Sequence, residues 1–367
     1  MSREWDFTLI TLWSAAVTVG LVMVASASFP LGESMGAPTR FVVRHAAYLL
    51  AATVALGACL VVPLRVWQAI HRPLLIAALV LVALVLVPGI GHMVNGSRRW
   101  IGVGPFTVQA AEFAKFALVI YLAGYLARNR EALVADPIAL VRPLALVGVL
   151  CALLLLEPDF GSVVVMAAVT GGVLFLAGAR LRHFLLIVLV VGLSLGLLSV
   201  LQPYRLQRLV TFLDPWAVAY GSGYQLTQAL IAFGRGDLFG LGLGEGIQKL
   251  LYLPEAHNDF IFAVVAEELG LVGALLVFGL LIALVLRIFR IAGAAIADGR
   301  AFAGYLAYGV ALLLGVQCVI NVGVNTGTLP TKGLTLPFIS YGGNSLLFCC
   351  ALVGLVLRVR LEHGRTR

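Results

Sequence analysis

The chain has 367 residues, of which 61% are hydrophobic and 11% charged, and its mean hydropathy of +1.05 excludes a water-soluble globular domain. It reads as a polytopic membrane protein. Its net charge of +8 calls for no nucleic acid, because basic residues and anionic lipid meet at the inner face of a membrane.

Apolar runs long enough to cross ~30 Å of hydrocarbon recur at about 8–28, 42–63, 73–93, 109–127, 142–156, 160–178, 183–202, 259–286, 302–325 and 342–358. The expected fold class is therefore all-α, a single transmembrane domain over 1–367 with about ten spanning helices. The first run lacks a small-residue cleavage site and is expected to stay as the first helix. Most of the 25 basic residues fall on one side if both termini are cytoplasmic. Arg40, Arg44, Arg98, Arg99, Arg205, Arg208, Arg235, Lys249 and Lys332 fall on the other, and Lys115 lies within a span. That bias places both termini in the cytoplasm. The inner connections are short, the longest about 128–141, so no cytoplasmic nucleotide-binding module and no use of ATP are expected. Cys59, Cys151, Cys318, Cys349 and Cys350 sit in apolar spans without CxxC or His/Cys spacing, and read as core filler rather than disulfides or metal ligands.

Polar, glycine-rich and charged residues crowd the outer face at 92–108, 203–258 and 326–345. The loop 203–258, between the seventh and eighth helices, is too long for a mere connector. Its segments Tyr220-Gly-Ser-Gly-Tyr-Gln225 and Gly234-Arg-Gly-Asp-Leu-Phe-Gly240 predict ordered turns and short or re-entrant helices. Gly242, Gly244 and Gly246 follow no strand of a βαβ unit, which makes them loop punctuation rather than a dinucleotide fingerprint. No internal repeat is visible, which argues against an inverted-repeat transporter.

Charges within a span cost ~2.5 kcal/mol or more and mark function or a paired structural site. Glu112 and Lys115 stand at i and i+3 on the fourth helix, a spacing that suits an ion pair as well as a binding site. Glu157 and Asp159 flank Pro158 at an outer turn where water access and a structural role are expected. Asp259 opens the eighth run, where a carboxylate is expected as a helix N-cap. Its neighbours Glu255, His257 and Asn258, with Arg98, Arg99, Lys115 and Lys332 on the same side, make an anionic substrate the alternative. Glu267 and Glu268 lie ~80° and ~180° around the helix from Asp259 and read as packing residues. His257 has no second histidine at metal spacing, so any divalent ion would be a hard one bridging a carboxylate to a phosphate.

Several motifs in order then resemble one family. They are Asn95-Gly-Ser-Arg-Arg-Trp-Ile101, Glu112-Phe-Ala-Lys115, Glu157-Pro-Asp-Phe-Gly161, Tyr204-Arg-Leu-Gln-Arg208 with Phe212-Leu-Asp-Pro215, Leu253-Pro-Glu-Ala-His-Asn-Asp-Phe-Ile-Phe262, and Leu329-Pro-Thr-Lys-Gly333 with Ser340-Tyr-Gly-Gly343. Together they resemble the SEDS proteins of shape, elongation, division and sporulation over nearly the whole chain. Asn321-Val-Gly-Val-Asn325 followed by Leu329-Pro-Thr-Lys-Gly-Leu-Thr-Leu-Pro337 is similar to the division branch. The chain departs from the common pattern at Ala110-Ala111, Glu157, Asn258 and Asn344, which bears on fine positioning while leaving Asp259, Lys115 and Lys332 in place.

The resemblance implies a glycosyltransferase that polymerises lipid II, an undecaprenyl-pyrophosphate-linked disaccharide-pentapeptide, on the outer face of the bacterial inner membrane at the division septum. It implies Asp259 as catalytic base. It implies substrate contacts from Lys115, Lys332, Arg98, Arg99, Glu112, Trp100, His257, Glu255 and Ser340. No tightly bound cofactor is expected, and a magnesium or manganese ion would accompany the substrate pyrophosphate. The implied partners are a class B penicillin-binding protein, the transpeptidase FtsI, with FtsQ, FtsL and FtsB. A lipid II flippase and a non-catalytic scaffold for a transpeptidase are the alternatives. An aspartate at its ordinary pKa of ~3.9 is a weak base toward an alcohol, and an N-cap position would depress it further. The expected chemistry therefore requires late proton transfer or a raised pKa.

Overall fold

The computed structural model describes residues 5–94, 97–103, 106–130, 138–200 and 203–363. Helices occupy each expected apolar run: α1 (Phe7–Ser34), α2 (Arg40–Val61), α3 (Leu64–Leu86), α4 (Ala110–Arg128), α5 (Ile138–Leu156), α6 (Phe160–Leu176), α7 (Leu181–Val200), α10 (Ile261–Ala297), α11 (Ala301–Asn325) and α12 (Gly343–His363). Two shorter helices, α8 (Pro203–Leu213) and α9 (Tyr224–Gly236), give the long loop 203–258 the ordered elements its sequence predicts. By length and composition, α1 to α4 and α10 to α12 can cross a membrane, whereas α5 to α7 present shorter apolar stretches. Asn95, Gly96, Gly104, Pro105, Leu201, Gln202 and residues 131–137 of the connection 128–141 lie outside the described residues.

The third helix differs from its expected range of 73–93. It starts at Leu64 because Pro63, extended at φ −62° and ψ 144°, opens the helix, and it ends at Leu86 so that the chain can enter a sheet. Strands β1 (Gly91–Val94), β2 (Ser97–Val103) and β3 (Phe106–Gln109) form an antiparallel meander, with His92 opposite Trp100 and Ile101 opposite Val108. The helical expectation for the chain is amended here. Glycine and charge in 91–109 hide a modest enrichment in β-branched and aromatic residues, and the irregularity between His92 and Met93 breaks the alternation that would reveal it.

Helix α4 is the axis of the bundle, buried on every side and packed by α3, α6, α11 and α12. Ala111, Ala114, Ala117 and Ala123 allow that enclosure, because small side chains let membrane helices approach where no water drives them together. Around it, α7 carries exposed Leu185, Leu186, Leu189, Leu193 and Leu197, a surface suited to lipid.

The bend in α10 has an identifiable cause. Gly270 takes φ 70° and ψ −172°, and a Cβ there would stand 2.3 Å from the Gly240 nitrogen. The segment 237–242 crosses the helix at this point and accepts or supplies the freed main-chain bonds. Leu241 N donates to Glu267 O (3.0 Å) and Gly242 N to Glu268 O (3.0 Å), while Leu271 N donates to Asp237 O (2.9 Å). The Glu267 carboxylate accepts from Ile247 N and Gln248 N (both 3.1 Å) and meets Arg235. The Glu268 carboxylate takes Lys249 Nζ (2.6 Å), Ser26 Oγ and Gly244 N. Both buried acids fasten the loop 203–258 to α1 and α10.

Candidate active site

Pro254 breaks the chain ahead of α10, and residues 250–260 fold as successive turns. Glu255 adopts a left-handed backbone (φ 57°), which aims its carbonyl at the amides of Asn258 (3.0 Å) and Phe260 (3.3 Å). Asp259 therefore lies outside the helix, and the N-cap expectation is corrected: Phe260 holds that position without a side-chain cap. The α10 terminus is capped from another helix, with Ala263 N donating to Asn325 Oδ1 (3.0 Å).

Asn325 and Asn321, one turn apart on α11, also hold the turn that carries Asp259. Each donates an Nδ2 hydrogen to the Asp259 carbonyl at 3.0 Å, and Asn321 reaches the Leu334 carbonyl at 2.6 Å. Ser340 Oγ donates to the Asn258 carbonyl (2.8 Å), and Tyr341 N donates to the His257 carbonyl (2.9 Å). The grip on residues 257–259 is made through main-chain atoms.

The Asp259 side chain is thereby left over for a cavity of about 550 Å³. All three polar segments contribute to its wall: Arg99, Trp100, Thr107 and Gln109 from the sheet, Glu255, His257, Asn258 and Asp259 from the turn, and Gly333 to Thr335 with Tyr341 to Ser345 from the segment before α12 and the first residues of that helix. Arg44, Tyr48, Glu112, Asp159 and Ser162 complete it. Gly333 lets the chain pass against the carboxylate, since a Cβ there would stand 3.1 Å from Asp259 Oδ2.

Asp259 keeps partial access at the cavity wall, yet accepts no hydrogen bond through its carboxylate among the described residues. Burial, reinforced by the nearby Glu255 carboxylate, pushes its pKa from 3.8 up to about 7, against the pull of Arg208 and Arg99. A carboxylate in that range can take a proton from an alcohol at neutral pH and give it up again.

The remaining predicted residues divide by geometry. Arg99, Trp100, Glu112, Glu255 and His257 line the cavity. His257 packs its ring against Phe41 and Tyr341, both with centroids at 5.3 Å, and burial lowers its pKa. Arg99 donates to the carbonyls of Glu157 (3.3 Å) and Pro158 (2.7 Å). Lys115 is placed differently from a wall cation: it is buried behind Glu112, with Nζ 2.7 Å from Oε1. Ser340 is likewise behind the wall, its hydroxyl accepting from Leu336 N (2.8 Å) while donating to Asn258. Lys332 lies with its ammonium 4.2 Å from the Phe160 ring centroid, beside Gly333, and Arg98 pairs across β1 with Met93; neither lines the cavity.

Water access at Glu157 is corrected too. Its carboxyl is buried and both oxygens lack a hydrogen-bond partner among the described residues. Burial, with Asp159 adding to it, raises its pKa to about 8. Asp159 caps α6 by accepting from Ser162 N (3.2 Å) and Oγ (2.8 Å). The sequence reading missed Arg44, Tyr48 and Arg208, since a basic residue at a helix end reads as topology. Asn321 and Asn325 were visible as a motif; their i,i+4 spacing was the available signal for a shared role.

A family model described as a cell cycle protein, covering FtsW, RodA and SpoVE, matches residues 6–364. The chain belongs to that family. It is 48% identical over 363 residues to the "Probable peptidoglycan glycosyltransferase FtsW" of Coxiella burnetii, covering 99% of this chain and 98% of that one. It is 50% identical over 356 residues to the protein of the same description from Alcanivorax borkumensis, covering 96% and 92%. Among solved structures, a chain from a peptidoglycan synthase complex coordinating polymerization and crosslinking superposes with a TM-score of 0.81 at 31% identity over 98% of each chain. The rod shape determining protein RodA of Thermus thermophilus gives 0.73 at 31% identity over 97% of each. The family's membership and the apolar helices make this an integral membrane protein, and the relatives' names agree with the division branch.

Proposed function

We propose that the chain is a peptidoglycan glycosyltransferase that polymerises lipid II on the outer face of the bacterial inner membrane at the septum. The observation that carries the mechanism is Asp259, displayed by a turn held through its backbone, its carboxylate without a hydrogen bond among the described residues and shifted toward neutrality. The acceptor sugar 4-hydroxyl attacks the anomeric carbon of the donor. As the new C–O bond forms, the proton passes to Asp259, and the bond from the anomeric carbon to the pyrophosphate oxygen breaks, releasing undecaprenyl pyrophosphate. Protonated Asp259 then returns its proton to solvent.

Arg99 and Arg44 stand on the cavity wall where a pyrophosphate would be met, and Arg208 acts on Asp259 from close by. Lys332 and Arg98 serve at the margin, Trp100 and His257 offer faces to the sugars, and Lys115 acts through Glu112, whose charge it balances. A cavity of about 550 Å³ lies within the ~300–1,000 Å³ range of small-ligand sites, with room for a pyrophosphate and adjoining sugar while the prenyl chain stays in lipid. Among the described residues no three His, Cys, Asp or Glu side chains gather as metal ligands. Magnesium or manganese would therefore draw most of its oxygens from pyrophosphate and water. The partner is a class B penicillin-binding protein, FtsI, with FtsQ, FtsL and FtsB. Support for the transpeptidase comes from the likeness to a chain that works within a peptidoglycan synthase complex.

The test is polymerisation of purified lipid II by Asp259→Asn protein that folds and binds its partner. Loss of about 100-fold or more is expected for a general base. A wild-type rate overturns the assignment, and transport across vesicles without polymerisation by the native protein would move the function to a flippase.

A further inference from the structure

The sheet presents neutral polar groups to the reaction cavity, apart from the charged ones already described. In the register of β2 and β3, Trp100 stands opposite Gln109, and residues directly opposite in an antiparallel pair share a face. Thr107 lies two residues before Gln109 on β3, so it shares that face as well. All three line the cavity. Asn344, near the start of α12, donates Nδ2 to the Thr107 carbonyl at 2.8 Å. That bond ties the face to the element whose leading segment brings Gly333 against Asp259.

The side chains of this face are not spent on the fold. Gln109 occupies the N-cap position of α4, at φ −87° and ψ 115°, yet its side chain makes no cap hydrogen bond. Its carboxamide and the Thr107 hydroxyl take part in no hydrogen bond among the described residues. Ladder pairing uses the backbone of both residues and leaves both polar ends over.

Neither a carboxamide nor a hydroxyl carries charge, so the pair suits a neutral group and leaves a pyrophosphate to the guanidinium groups. A trans secondary amide points its N–H and its C=O in opposite directions. With a hydrogen bond of ordinary length at each end, its two partners stand about 8 Å apart. Residues two apart on a strand have Cα atoms ~6.8 Å apart, a span that threonine and glutamine side chains can widen to match. The carboxamide can donate to the C=O or accept from the N–H, and the hydroxyl can take the other role. A ring hydroxyl in place of that amide would satisfy one of the two and leave the other unpaired. The Trp100 indole beside them offers an apolar plane to the C–H face of a saturated ring.

We propose that Trp100, Thr107 and Gln109 form a saccharide subsite, in which Gln109 and Thr107 select a sugar bearing an acetamido group over one bearing a hydroxyl. The subsite rests on the glycosyl-transfer reading of the same cavity and adds the feature of the sugar that is recognised there.

The experiment uses the full chain in nanodiscs with two lipid-linked pyrophosphoryl disaccharides, alike except that one carries 2-acetamido groups and the other 2-hydroxyl groups. Native mass spectrometry of the two in competition reads the binding preference, and polymerisation is followed in the same preparations. Two neutral hydrogen bonds, each a factor of roughly five, give an expected preference of about 25-fold for the acetamido lipid in the wild type. Gln109→Leu and Thr107→Val should each lower it to about fivefold, and the double variant to about parity. Damage to the fold would weaken both ligands together and leave their ratio unchanged, so the ratio decides. Thr107 is exposed, so Thr107→Val tests the subsite even if Gln109→Leu fails to fold. A wild-type preference below about threefold, or one unchanged in either variant that folds, overturns the proposal. Gln109-dependent retention of a peptide-bearing over a peptide-free disaccharide, without the acetamido preference, overturns it in favour of a peptide amide. No polymerisation by the wild type with the preference intact would remove the glycosyl-transfer reading and leave the subsite. Polymerisation with a preference that the variants do not change would do the reverse.

Discussion

At pH 8 the Asp259→Asn protein is expected to melt above the wild type although it is inactive. In the native chain the carboxyl holds its proton up to about pH 7, whereas its ordinary value is 3.8. As pH rises above that lower value the unfolded chain loses its proton first. Native stability therefore falls between about pH 4 and 7 and is level above. Three pH units at ~1.36 kcal/mol each set an upper bound of about 4 kcal/mol, and the side chain's partial exposure brings the expectation to on the order of 2 kcal/mol. Asparagine keeps the shape and carries no charge, so it escapes that loss. Its Tm advantage should be small at pH 4 and reach a few degrees at pH 8, read by differential scanning fluorimetry at one scan rate. A difference independent of pH, or a variant less stable at pH 8, would refute the idea that burial holds this carboxyl near neutrality.

Polymerisation by the wild type should rise with pH through about 7 as one group loses its proton. Arg99→Ala should move that limb to higher pH, because Arg99 pulls the Asp259 pKa down, and a pH–rate profile for both proteins checks it. Glu157→Gln should leave stability nearly unchanged at about pH 4 and raise it progressively between about pH 4.5 and 8, with a level advantage above, because the unfolded carboxyl ionises near 4.5 while the native one, shifted to about 8, keeps its proton in burial; thermal melts across pH 4–9 decide. Gly270→Ala should cost about 3 kcal/mol or more, or prevent folding, because the added Cβ meets backbone of the 238–240 segment rather than a movable side chain; a chemical-unfolding midpoint measures it. Asn325→Ala should lower turnover about tenfold while leaving the Asp259 pKa limb in place, since it removes a grip on the turn and not a neighbouring charge; steady-state rates across pH test this.

The apolar runs were legible because each helix is long and lipid leaves the backbone no partner but itself. The crowding of polar residues on one face likewise led to the cavity. The sheet was not legible, since its strands are short and irregular at His92. Asp259 could be located but its state could not, because a raised pKa depends on what surrounds it, and those groups come from the sheet, α8 and the turn's own Glu255. Lys115, expected to contact substrate, is buried, while Arg44, for which only a side of the membrane was expected, lines the cavity, for a related reason. Helical spacing tells which residues share a face; it does not tell whether that face meets the cavity or the partner acid beside it.

The turn bearing Asp259 is fastened by asparagine amides, a serine hydroxyl and a tyrosine amide acting on carbonyl oxygens. Such a clasp is blind to which side chain is on display. A copy disabled at position 259 should therefore keep its shape and still fill the place of a working one wherever the protein assembles. In a mixed population the lesion would act as a poison rather than a vacancy, and a cell carrying both copies would suffer more than one merely given half as much of the intact protein.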